Sequence, residues 1–231
     1  MDYLLQGFLQ GFVLLFSGDP ETYSAIWATV GASSLSMFCS LAIGVPLGFC
    51  LGHYSFPGKK IVRTGVDTLL SFPTVVIGLL VYAFLTRHGP LGGTGLLFSL
   101  AGIAIGQTLL GLPIIVAMTA NAVDGLDKRL PMTLITLGAS PKQILWATVM
   151  EARFSIMLAA MAAYGRIVSE VGISMLVGGN IKWHTRTITT AIALETGKGE
   201  FAVGIALGMV LLTVALVVNV AATGLKKKAV K

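Results

Sequence analysis

Two charged residues stand out because they lie deep within apolar sequence. Arg166 and Glu170 are four positions apart, which would place them on one face of a helix. Charges in such a setting are unfavourable unless they pair with each other or face a protected interior. Two interpretations follow: a structural ion pair that fixes helix packing, or a direct role in gating or in handling a passing ion.

A second group of polar residues follows the glycine turn at Gly178 and Gly179. The loop after this turn is basic and rich in hydroxyl groups. Backbone N–H groups and such side chains could contact a small oxyanion; the favoured alternative is a solvated loop that orients the chain or docks a partner protein. The candidate residues for either contact are Asn180, Lys182, Thr185 and Arg186.

The sequence lacks the patterns of an enzyme. Its three histidines fall in separate loops without an HExxH or similar pattern, and its two cysteines have no CxxC spacing, so no metal site is expected. No serine, histidine and acid occur on adjoining apolar segments. No phosphate loop of the form G-x-x-x-x-G-K-[ST] is present either, so we expect this chain to bind no cofactor and to hydrolyse no nucleotide itself.

The composition is that of an integral membrane protein. Hydrophobic residues make up 55% of the 231 residues and charged residues only 11%, whereas soluble domains carry about 25% charge. The net charge of +6 does not indicate nucleic acid, because the basic residues fall in short loops and the tail. We therefore predict an all-α protein that contacts lipid and no nucleic acid.

Five apolar segments are long enough to cross a bilayer, which takes about 20 residues. Glycines recur at four-residue spacing in the first and third, a pattern that lets another helix backbone approach closely. Pro73 predicts a bend in the second. The five predicted spans are Ile26 to Gly52, about Val66 to Leu85, about Gly95 to Ala120, about Ala152 to Val177 and about Phe201 to Gly224.

The segment Tyr3 to Phe16 is apolar but only about fourteen residues long. We predict an interfacial or lipid-wrapping helix, with a sixth span as the alternative. The chain then divides into an N-terminal interfacial segment (1–24), a transmembrane domain (25–224) and a basic cytoplasmic tail (225–231).

Basic residues predict the orientation. With five spans, eleven of them share one side of the membrane and four the other, and the positive-inside rule assigns the eleven to the cytoplasm. The N-terminus is then outside and the C-terminus inside. The eleven are Lys59, Lys60, Arg63, Lys128, Arg129, Lys142, Arg153, Lys226, Lys227, Lys228 and Lys231, and the four are Arg87, Lys182, Arg186 and Lys198.

The longest charged interruption between spans contains a short helix, a glycine turn and a second helix. Ser140 is a candidate N-cap, and Pro141 fits the first helical position. Leu137, Ile144 and Leu145 give this cytoplasmic element an apolar side that should bury against a partner. Since the chain has no phosphate loop, we interpret the element as the contact through which another protein moves the membrane part.

The stretch Thr136-Leu137-Gly138-Ala139-Ser140-Pro141 resembles the cytoplasmic EAA loop of type I ABC importer permeases. Gly138 matches the central glycine of that motif, whereas Met132 to Leu134 stand where Glu-Ala-Ala is usual.

Three downstream blocks, 165–172, 178–181 and 185–187, resemble the oxyanion branch of this family, which comprises molybdate, tungstate and sulfate permeases. The overall sequence is most similar to tungstate permeases, and the resemblance covers roughly Ala25 to Gly224.

The resemblance implies a type I permease fold with a cytoplasmic coupling helix, in the membrane of a prokaryotic cell. It also implies ATP-driven import of tungstate by alternating access in a homodimer, with two ATPase subunits that use ATP and Mg and an external binding protein. Molybdate or sulfate are the alternative substrates, and a stand-alone channel or secondary carrier is the alternative class. The coupling residues would be Leu137, Gly138, Ala139, Ser140, Pro141 and Lys142.

Overall fold

The computed structural model describes residues 2–127 and 129–230, and within them the chain consists of helices joined by turns. Lys128 and Lys231, which belong to the predicted cytoplasmic set, lie outside these residues. The helices are α1 (Asp2–Phe16), α2 (Pro20–His53), α3 (Lys59–Leu70), α4 (Thr74–Leu85), α5 (Leu100–Asp124), α6 (Arg129–Thr136), α7 (Pro141–Val168), α8 (Gly172–Gly178), α9 (Ile188–Gly197) and α10 (Phe201–Val230), with a 3-10 turn at Gly92–Thr94.

Four helices in the described ranges are long and apolar enough to cross a membrane alone: α2, α5, α7 and Phe201–Val220 of α10. The packing of α2 on α5 shows that a fifth crossing is needed. Gly44 faces Ile115 and Gly52 faces Ala120, so the two helices run parallel. The chain must therefore return across the membrane between them, and α3 and α4 together make this crossing. The described residues thus contain four apolar spans, or the predicted five when this bent pair is counted as one.

The second span is broken, although the sequence predicted one bent helix from Val66 to Leu85. It begins earlier, at Lys59, and α3 ends at Leu70; α4 starts at Thr74 after a turn of 97°. Pro73 explains the interruption, because proline has no N–H to donate and disfavours helical geometry in the residue before it.

The fourth span also differs from its prediction as a single helix from Ala152 to Val177. Helix α7 includes the second helix of the element predicted to be cytoplasmic and runs for 28 residues from Pro141 to Val168. The chain then leaves helical geometry at 169–171 before α8 begins at Gly172. No proline marks this break, so the sequence did not indicate it.

Helix α1 is 15 residues long, which is too short to span a bilayer alone. It packs along α10, where a Cβ on Gly7 would lie 2.9 Å from the carbonyl oxygen of Ala202 and one on Gly11 would lie 3.2 Å from that of Ala206. Its interfacial or lipid-wrapping role stays a prediction.

Candidate functional site

The turn between α6 and α7 is closed by two backbone hydrogen bonds. Gly138 N–H donates to the carbonyl of Ile135 and Ala139 N–H donates to that of Leu134, both at 2.9 Å. This is the Schellman arrangement, which requires a left-handed residue at the helix end. Gly138 supplies it with a φ of +78°, a conformation that glycine adopts readily.

The start of α7 confirms the predicted cap. Ser140 has the extended backbone of an N-cap residue, and Pro141 occupies the first helical position. The side-chain oxygen of Gln143 accepts a hydrogen bond from Ser140 N–H at 2.7 Å. The sequence analysis missed Gln143, although a Gln three residues after a Ser is the pattern of a capping box.

The turn between α6 and α7, called the cytoplasmic turn after its predicted side of the membrane, presents apolar side chains to its surroundings. Leu137 is 77% exposed and Trp146 is 64% exposed, and Leu145 is also exposed, whereas Ile144 is half-buried. Met132 and Ile135 of α6 add two further exposed apolar side chains. A contiguous surface of this kind is typical of a protein contact.

The basic first turns of α3 hold the C-terminal end of α5. Arg63 donates from its guanidinium to the side chains of Asp124 and Asn121. Lys59 Nζ donates to the carbonyl of Gly52 at 3.1 Å and lies 3.5 Å from the Asp124 carboxylate. These cations therefore join the ends of α2, α3 and α5 in addition to favouring the cytoplasmic side.

In the loop of residues 179–187, called the outer loop after its predicted side of the membrane, Thr185 has a structural role. It is fully buried, and its hydroxyl donates to the carbonyl of Gly178 at 2.5 Å and accepts from Ile181 N–H at 3.1 Å. Both hydrogen-bonding functions of the hydroxyl close the loop on itself. The predicted contact of Thr185 with an external oxyanion or partner is corrected accordingly.

The cations of the outer loop are held by an acid from α2. Glu21 forms 2.7 Å ion pairs with both Lys182 and Arg186. The Arg186 side chain is only 15% exposed, and its Nε also donates to Asn180 Oδ1 at 3.2 Å. The sequence analysis missed Glu21, because a partner 165 positions away leaves no local signal.

These pairs border a cavity of about 540 Å³ at the outer end of α2, α9 and α10. Three acidic and three basic side chains line it, so its formal charge is balanced. Its charged lining consists of Asp19, Glu21, Lys182, Arg186, Glu195 and Lys198.

We expect Glu21→Gln to loosen the outer loop. With only a neutral amide facing Arg186 and Lys182, the amides of residues 180–187 should exchange with deuterium about fivefold faster, since a partly exposed ion pair contributes about 1 kcal/mol. Glu195→Gln is the matched control, because Glu195 lines the same cavity but pairs with Lys198. Equal exchange in the two variants would show that Glu21 does not hold the loop.

Arg166 and Glu170 do not form the predicted pair on one helix face. Helix α7 ends at Val168, between them, and no ion pair joins them among the residues that the structure describes. Glu170 is 3% exposed, and its Oε1 accepts from Ile173 N–H at 3.3 Å. Arg166 is exposed on the surface of α7. The ion-pair interpretation is wrong for this chain, and a role in gating or ion handling stays a prediction.

Comparison with known proteins gives consistent results. Residues 44–231 match the family described as binding-protein-dependent transport system inner membrane component. The chain is 46% identical to the tungstate uptake system permease protein of Campylobacter jejuni over 98% of this chain and 95% of that one. It is 35% identical to the protein of the same name from Peptoclostridium acidaminophilum, over 95% and 96%. An inward-facing structure of the MetNI methionine ABC transporter shares the fold, with a TM-score of 0.73, 21% identity and coverage of 90% of this chain and 96% of that chain.

Proposed function

Since the chain belongs to the family of binding-protein-dependent transport system inner membrane components, we propose that it is the permease subunit of an ABC importer for tungstate. We infer the substrate from the 46% identity, over 98% of this chain, to a tungstate uptake permease. Its apolar helices make it a multi-pass membrane protein. The permease itself is not catalytic, and a separate subunit hydrolyses ATP with Mg.

The contact for this ATPase is the turn from Leu137 to Lys142. A rigid glycine turn and a capped helix present apolar side chains that have no cover in the single chain. Such a surface is suited to a groove on another protein. Two ATPase subunits would contact two copies of the permease, and the translocation path would lie between the copies.

The continuity of α7 supplies the coupling. Its 28 residues extend for about 42 Å, at about 1.5 Å per residue. Its cytoplasmic end is the ATPase contact, and its other end, at Val168, packs with the middle of α5 through Ile167 and Gly111. When ATP draws the ATPases together, α7 transmits the displacement as one rod into the membrane, and the path changes from inward-facing to outward-facing.

On the outer side, the loop that contains Asn180, Lys182 and Arg186 would receive the binding protein that delivers the oxyanion. Glu21 already neutralises Lys182 and Arg186, which makes the loop a poor site for a free dianion. These residues are better suited to form new ion pairs with charged groups of a partner protein. The excess of basic residues in the opposite loops supports an outside N-terminus and a cytoplasmic C-terminus.

Uptake by cells that lack the gene tests this function. We expect tungstate uptake to fall to background in the deletion strain and to return when the gene is supplied, while molybdate and sulfate uptake stay near normal. Tungstate uptake that survives deletion would contradict the proposal. Loss of molybdate or sulfate uptake in place of tungstate uptake would favour the alternative substrates, and uptake that persists with a hydrolysis-deficient ATPase would favour a channel or secondary carrier.

A further inference from the structure

The exposed face of α7 differs from the lipid-like faces of the other spans. The large exposed side chains of α4 and α10 are aliphatic or aromatic, such as Leu79, Phe84, Leu212 and Leu216. From Glu151 onward, exposed residues that recur every three or four positions form a stripe along α7, in which all but one are small, polar or charged. This α7 stripe consists of Glu151, Ser155, Leu158, Ala162, Arg166 and Ser169, the last just beyond the helix end.

Arg166 lies at mid-membrane depth. The next residue, Ile167, packs against Gly111, which is near the centre of α5. Glu151, the acid of the stripe, lies at the cytoplasmic end, because the following residue, Ala152, packs with Val123 near the end of α5. The part of the stripe within the membrane therefore carries Arg166 as its one charge.

The guanidinium of Arg166 has no acidic partner in the described part of the chain, in contrast to the two arginines that join separate segments of the chain, Arg63 and Arg186. Arg63 pairs with Asp124 and Arg186 with Glu21, but among the side chains that the structure describes no carboxylate forms an ion pair with Arg166. An arginine that faces lipid at the bilayer centre is strongly unfavourable, and such residues face a bundle interior or a water-filled cavity.

Two interrupted spans meet near the level of Arg166. A Cβ on Gly172, just after the break at 169–171, would lie 3.3 Å from Val75 Cγ2, just after the break that contains Pro73. Ser71 and Ser169, one in each break, are exposed. Non-helical backbone at membrane depth is tolerated where it is buried in protein or lines a water-filled cavity, and these serines are not buried.

From the stripe, the unpaired guanidinium and the paired breaks, we propose that the α7 stripe lines the oxyanion path and that Arg166 of each copy binds the anion in transit. This inference rests on the proposed function. The planar guanidinium donates two parallel hydrogen bonds to two oxygens of a tetrahedral oxyanion, which a lysine ammonium does not reproduce. Two copies of Arg166 facing one path would offset the two charges of a dianion.

Substitution of Arg166 tests the anion contact. In proteoliposomes that contain the permease, its ATPase and its binding protein, Arg166→Gln should lower the initial rate of tungstate uptake about tenfold or more, because a charge-assisted contact is lost. Arg153→Gln is the matched control: Arg153 is an exposed arginine of the same helix that lies off the stripe, with its guanidinium on the carbonyl of Met150. Arg153→Gln should transport at the wild-type rate. Wild-type uptake by Arg166→Gln would overturn the proposal.

Cysteine labelling tests whether the α7 stripe lines a water-filled path. The result does not depend on which oxyanion is transported, nor on whether the Arg166→Gln variant assembles with its ATPase. In a Cys39→Ser, Cys50→Ser background, Ser155→Cys and Ala162→Cys should react with a charged, membrane-impermeant thiol reagent, whereas Leu216→Cys and Val217→Cys, at exposed positions of α10 that face away from the stripe, should not. Unreactive stripe cysteines, or equal reaction at all four positions, would overturn the proposal. If the wild-type complex took up no tungstate, the proposed substrate would fail, and labelling would still decide whether the stripe lines a path.

Discussion

Replacing Gly138 by valine is expected to reduce the amount of ATPase that co-purifies with the permease about tenfold or more. A Cβ at this position would meet nothing within 4 Å, so the effect arises from the backbone alone. At a φ of +78° a β-branched residue is strongly strained, whereas glycine is not. Relief of the strain would open the two hydrogen bonds of the turn and misplace the exposed apolar side chains of the contact.

Two controls separate this effect from a general loss of folding. Gly138→Asn should keep most of the ATPase bound, because asparagine tolerates the left-handed region. Gly31→Ala adds a Cβ in equally open space within α2, where the backbone is helical, and should leave assembly unchanged. A Gly138→Val complex that retained its full ATPase content would contradict the role of the turn in coupling.

The cytoplasmic turn was predictable because its determinants are local. The cap at Ser140, the proline at Pro141 and the left-handed glycine at Gly138 act within one or two turns of helix, so the order of residue types is sufficient to indicate them. The five spans were predictable for a similar reason, because a bilayer imposes length and apolarity on every helix that crosses it.

The breaks within the spans were less accessible to sequence analysis. Pro73 indicated a change of direction, but the difference between a bend and an interruption of 97° depends on what packs around it. The break at 169–171 contains no proline or glycine, and it alone separates Arg166 from Glu170. The ion-pair prediction failed because it assumed a continuous helix there.

Ion pairs between residues far apart in the chain could not be predicted from the sequence either. Glu21 holds Lys182 and Arg186 only because the start of α2 lies beside the outer loop. A basic, hydroxyl-rich loop read by itself resembles an anion site, and only the fold reveals that its cations are already neutralised and that Thr185 faces inward. Among the residues that the structure describes, an arginine without an acidic partner lies instead on the apolar part of α7, at Arg166.

Gly48→Ala is expected to destabilise the fold more than any exposed substitution in α2. A Cβ on Gly48 would lie 2.6 Å from the carbonyl oxygen of Val116 and 2.7 Å from Thr119 Cβ. Because the first of these contacts is with backbone, the two helices would have to separate. Overpacking of this kind costs about 3 kcal/mol, which lowers the melting temperature of a chain of this size by about 6–12 °C.

A graded series along α2 distinguishes close helix packing from the general effect of replacing glycine. Gly31→Ala should leave the melting temperature in detergent unchanged or slightly raised, because the added Cβ meets nothing within 4 Å and alanine favours a helix. Gly44→Ala should have an intermediate effect, since its Cβ would press mainly on the Ile115 side chain, which can shift more easily than backbone. Equal melting temperatures for Gly31→Ala and Gly48→Ala would refute the close contact between α2 and α5, and with it the argument that α3 and α4 must carry the chain back across the membrane.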